Sequence, residues 1–73
     1  MLLSALPPGV AAHVRAVSTE SGAVLRLREM GLRPGALVRM TGRGAGGSRI
    51  VMIGAARIAI DGVTAGLIEV EAA

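Results

Sequence analysis

Between Leu27 and Met40 the chain reads LREMGLRPGALVRM, and the Met-Gly-Leu-Arg-Pro-Gly at its centre leaves the backbone few options. Upstream, Ala23, Val24, Leu27 and Met30 recur at helical spacing, with Arg26, Arg28 and Glu29 largely on the other side, so a short helix with one buried face is expected. Gly31 can take the left-handed conformation just past its end. That places Leu27 and Leu32 at the two positions whose apolar contact completes a Schellman ending. Pro34 then forbids further helix, and Pro34-Gly35 suits the centre of a type II turn. Downstream, Ala36, Val38 and Met40 alternate with Leu37, Arg39 and Thr41 as a half-buried strand would. The segment therefore predicts a helix that stops and restarts as a strand with almost no loop.

The rest of the chain reads as further short strands. AAHVRAV places Ala12, Val14 and Ala16 on one side, and STES after it supplies Ser18 or Ser21 as a helix cap with Glu20 near the positive end. RIVMI predicts Ile50 and Met52 inward against Val51 and Ile53 outward, and RIAI puts Ile58 and Ile60 on one face. GRGAGGS is a flexible hairpin loop, Gly54-Ala55-Ala56 a tighter one, Asp61-Gly62 a turn, and VTAG a single helical turn. LIEVE closes with Ile68 and Val70 inward and Glu69 and Glu71 outward. Five antiparallel strands with one helix inserted after the first predict a mainly β fold, a small SH3-like barrel that is closed or nearly closed, since closure removes exposed edges.

With 73 residues, 1–73 form a single domain, and the lack of cysteine leaves packing alone, or packing with a partner, to hold it. A reducing cytoplasmic setting fits. The opening MLLSALPPGV has no basic leader and is cut by Pro7 and Pro8, so it reads as part of the fold and not as a secretory signal. No stretch approaches the roughly 18 apolar residues of a membrane span. Eight arginines against five carboxylates give a net charge of +3, but Arg15, Arg26, Arg28, Arg33, Arg39, Arg43, Arg49 and Arg57 are dispersed and not blocked. With no Phe, Tyr or Trp there is no aromatic platform for single-stranded nucleic acid or polyproline ligands. Nucleic acid is not the expected partner.

Candidate chemical motifs fail in context. GRGAGG, residues 42–47, matches G-x-G-x-x-G, yet a strand pattern follows where a dinucleotide site needs a helix N-terminus. His13 stands alone, with no nucleophile or ligand at a recognisable spacing. Met30, Met40 and Met52 are expected on inward faces as core fillers. Glu69 and Glu71 share the polar face of the last strand without a third ligand. No catalytic residue, cofactor site or metal site is expected, and the chain does not read as an enzyme.

Gly9, Val14 and Val17, RLREMGLRPGALVRM over 26–40, and ARIAIDGVTAGLIEV over 56–70 together resemble the FeoA family. The likeness spans nearly the whole chain, and its most specific part is Met30-Gly31-Leu32-x-Pro34-Gly35. Gly47-Ser48-Arg49 and Asp61 depart from the family's usual hairpin and strand ending, both on turns. The resemblance implies an SH3-like barrel and a small cytosolic accessory protein of bacterial ferrous iron uptake. Such a protein acts by contact with the cytoplasmic region of the FeoB transporter, without membrane insertion and without binding iron itself. Its expected docking surface is the corner: Arg26, Met30, Leu32, Arg33 and Pro34. The alternatives are a basic barrel binding nucleic acid through phosphates, or the SH3-like module of a diphtheria-toxin-repressor-type metal regulator. Self-association is left open.

Overall fold

A computed structural model of the chain describes residues 1–17 and 22–73; of Ala23 and Val24 it describes the backbone only. The proposed caps Ser18 and Ser21, with Glu20, lie outside the described residues. The elements run as a 3₁₀ turn at Leu3–Ala5, β1 (Ala11–Val17), α1 (Gly22–Glu29), β2 (Leu37–Arg43), a second 3₁₀ turn at Ala45–Gly47, β3 (Arg49–Ile53), β4 (Ala56–Ile60), α2 (Gly62–Ala65) and β5 (Ile68–Ala72). The strands form one antiparallel sheet in the order β4-β3-β2-β1-β5. This is the mainly β, five-stranded architecture expected from the sequence, but β4 and β5 end the order without pairing with each other, so closure does not remove the edges.

The corner folds as its residues dictate. Gly31 has φ 105°, the Leu32 N–H donates to the Leu27 carbonyl at 2.9 Å, and the Gly31 N–H donates to the Arg28 carbonyl at 3.1 Å. These are the two hydrogen bonds of a Schellman motif. Leu27 and Leu32 both enter the core. Gly35, at φ 91°, sits third in a turn closed by the Ala36 N–H on the Arg33 carbonyl at 2.9 Å, as a type II turn requires. The corner is then hooked onto β1: the Gly35 N–H donates to the Val14 carbonyl and the Val14 N–H to the Ala36 carbonyl.

The core is aliphatic. Leu3, Leu6, Leu32, Met40, Ile68, Val38, Val51 and Val70 are fully buried, each side chain of this kind contributing roughly 1.5–3 kcal/mol through lost water contact. Leu3 and Leu6 confirm that the opening segment belongs to the fold. Val38, Met40, Ile58, Ile60, Ile68 and Val70 point inward as the alternation predicts.

Four expectations need correction. Ala16 is exposed while Val17 packs on the core, because a bulge between Val14 and Ala16 in the ladder to β5 shifts the side-chain phase by one. In β3 it is Val51 that is fully buried, paired with Met40 and Ile58, while Ile50 and Met52 are only half-buried. All residues of RIVMI after Arg49 are apolar, so its phase is set by the inward residues of its neighbours and not by its own pattern. Met30 is half exposed, because the helix ends at Glu29 and the reversal at Gly31 brings Leu32 into the core instead. Finally, the single helical turn begins at Gly62, with Asp61 as its N-cap instead of part of a separate turn.

Candidate functional site

The structure divides the five corner residues. Leu32 is 0% exposed and has no surface to offer a partner; it holds the corner in shape from beneath. Arg33 and Pro34 are exposed on the turn itself. Arg33 shares a shallow depression with Leu25, Arg28 and Glu29, whereas Arg26 and Met30 line a different groove. The predicted patch is thus two surfaces, separated by helix α1.

The larger is an open groove of about 520 Å³ between α1 and the junction of β4 with α2. Arg26, Leu27 and Met30 form the helical wall, and Ala59, Ile60, Asp61 and Thr64 the opposite one. Arg26 and Met30 are one turn apart and so share a helix face, while Leu27 and Ile60 are core residues whose edges form the apolar floor. Met30 is 50% exposed at the rim. A flexible, polarizable thioether there can fit apolar side chains of varied shape.

The far wall is fixed by a local hydrogen-bond pair. Asp61 Oδ1 accepts from the Thr64 N–H at 2.7 Å, and Asp61 Oδ2 accepts from Thr64 Oγ1 at 2.9 Å. The backbone bond from Thr64, then its hydroxyl, hold the Asp61 carboxyl below its ordinary pKa. The carboxylate is therefore committed to capping α2, and Thr64 is buried with its hydroxyl satisfied. In the sequence Asp61-Gly62 reads as a turn and this wall is not visible; the signal for it is the cap-type Asp three residues before Thr64.

The remaining candidates stay apart. His13 lies on the outer face of β1, opposite Leu37 on one side and Glu71 on the other. Glu69 and Glu71 are exposed on β5. Among the described residues no three His, Asp or Glu side chains gather as a metal site would need. Of the three methionines expected inward, Met40 is buried, Met52 half-buried and Met30 exposed, so they form no cluster in the core. The glycine-rich loop closes the β2–β3 hairpin: Arg49 donates to the Gly47 carbonyl and also reaches the Ser4 carbonyl at 3.2 and 3.3 Å, tying the loop to the opening segment. Among the described residues no helix is long and apolar enough to cross a membrane.

The FeoA-domain family model matches residues 1–72. Among solved structures, Stenotrophomonas maltophilia FeoA complexed with zinc is 33% identical, with a TM-score of 0.84 over 97% of this chain and 89% of that one. It is described as a prokaryotic SH3-domain protein and put forward as a bacterial ferrous iron transport activating factor. An iron uptake regulatory protein, also a FeoA, is 30% identical with a TM-score of 0.88, covering all of this chain and 97% of its own. IdeR of T. acidophilum shares the fold alone, at 20% identity and a TM-score of 0.85 over 34% of its length. No match was found among curated proteins. The match over 72 residues, the corner with its two turns and the five-stranded SH3-like sheet agree, and the chain belongs to the FeoA family.

Proposed function

We propose that the protein is a small cytoplasmic accessory of ferrous iron uptake, working by contact with the cytoplasmic region of a FeoB-type transporter and not by catalysis. Family membership supports the pathway. The observation that carries the mode of action is the groove beside α1, where a half-exposed methionine and an arginine flank an apolar floor made by the core residues Leu27 and Ile60. An arginine beside a half-exposed apolar side chain over an apolar floor suits an interaction hot spot. The docking surface is accordingly Arg26 and Met30 first, with Arg33 and Pro34 on the neighbouring turn and Leu32 as their buried support.

Titration calorimetry of the purified transporter cytoplasmic region tests this. Met30→Glu and Arg26→Glu, each confirmed folded, are expected to weaken binding about tenfold or more, roughly 1.4 kcal/mol. Arg33→Glu, across the helix, should weaken it less. Parental affinity in both groove variants would remove the groove from the interface.

A further inference from the structure

The two edges of the sheet are finished differently. At β5 the outward groups of Val70 are taken by the opening segment: the Val70 N–H donates to the Met1 carbonyl at 2.7 Å, the Met1 amino group donates to the Val70 carbonyl at 2.9 Å, and Leu2 bridges to Glu69. At β4 the hairpin to β3 fixes which groups point outward. Ile53 pairs with Ala56 across the two-residue turn Gly54-Ala55, so Ala56, Ile58 and Ile60 direct their backbone groups to β3. The N–H and C=O of Arg57 and Ala59 then face away from the sheet. No backbone hydrogen bond from another described segment reaches them.

That open backbone lies beside the groove, since Ala59 and Ile60 are its wall opposite Met30 and Arg26. Arg57 is exposed on the same strand, and Arg26 lines the groove opposite Ala59 and Ile60, while the Asp61 carboxylate of that groove stays charged but has both oxygens engaged by Thr64. The composite offers strand-pairing groups, an apolar slot and two guanidinium side chains. We propose that the β4 edge takes up an acidic, extended segment of the partner as a further strand, with an apolar side chain against Met30 and carboxylates toward Arg57 and Arg26. In this mode main-chain hydrogen bonds supply affinity and alternate side chains supply selectivity. The inference takes its partner from the docking reading above, but its site from the sheet.

The test uses the full chain, isotope-labelled, titrated at low salt with a terminally blocked hexapeptide of alternating valine and glutamate. The expected result is shift changes and slowed amide exchange centred on Arg57 and Ala59, with no response to a valine-lysine peptide and a weaker one at high salt. Ala59→Pro removes an outward N–H without touching the ladder to β3, and Arg57→Glu reverses the edge charge. Each should reduce the response at least tenfold, and Arg57→Glu serves alone should the proline variant fail to fold. Shifts mapping elsewhere, parental responses in the folded variants, or a β4-to-β4 dimer that the peptide does not displace would overturn the assignment. The same variants are then titrated with the transporter cytoplasmic region. If the peptide behaves as expected and the parent does not bind that region, the docking reading falls and the edge assignment stands. If the parent binds and both variants bind equally well, the edge assignment falls and the docking reading stands.

Discussion

The β5 and β4 edges carry the same kind of backbone and meet different fates. β5 is capped by Met1 and Leu2, which are held in place by the burial of Leu3 and Leu6 directly after them. β4 has no such neighbour among the described residues, and carries Arg57 as its second residue instead. A charge on an open edge discourages pairing with a second copy, yet admits a segment of opposite charge. The contrast teaches that this small sheet covers one edge with its own opening segment and, among the described residues, leaves the other to the strand pairing proposed above.

The strongest way to break the contrast is Leu3→Ala. Removing a fully buried side chain from so small a core is expected to cost about 2–5 kcal/mol, and to release the segment covering β5. Urea denaturation should report the loss, and light scattering the association that a second open edge invites. A core substitution near 1 kcal/mol would mean that the opening segment is not anchored as described.

A middle-sized effect sharpens the other side. Gly31 holds φ 105° at the end of the helical groove wall, and a methyl there would lie 3.5 Å from Ile53 Cγ2, an ordinary contact. Gly31→Ala should therefore lose only the backbone term, about 1–2 kcal/mol. Gly35→Ala, at φ 91° with nothing nearby, is the matching control for the turn. Thermal melts of the two should agree if backbone strain alone is at issue.

The smallest effect concerns pH. The Thr64 bonds lower the Asp61 pKa in the folded protein from the ordinary 3.8, so the folded state binds that proton less readily than the unfolded chain. The stabilisation is complete above the ordinary value and disappears as pH falls through the lowered folded one. Urea midpoints measured from pH 5 downward should decline, and Asp61→Asn should reduce the slope while keeping a capping oxygen. An unchanged slope would detach the far wall of the groove from Asp61.

Much of this was legible in the residues because the local rules were strong. Gly31 and Leu32 after Leu27, and Pro34-Gly35 before an alternating strand, each specify one backbone, and all of them formed. Where local rules were weak, reading failed. RIVMI has no polar residue to fix its phase after Arg49, and the bulge that turns Ala16 outward comes from pairing with β5, more than fifty positions away. The candidate site was half legible. Arg26 and Met30 could be named, but their opposite wall at Ala59, Ile60, Asp61 and Thr64 is remote in sequence.

By itself the sequence determined the elements, the corner joining α1 to β2, the aliphatic core and the family, because these follow from backbone preferences and apolar spacing within a few residues. The tertiary structure alone decided that Leu32 is buried while Met30 is exposed, that Arg26 and Arg33 face different surfaces, and that one sheet edge is covered while the other, among the described residues, is not. Those outcomes depend on which distant segments compete for the same volume and the same hydrogen bonds, and that competition exists only once the chain has closed on itself.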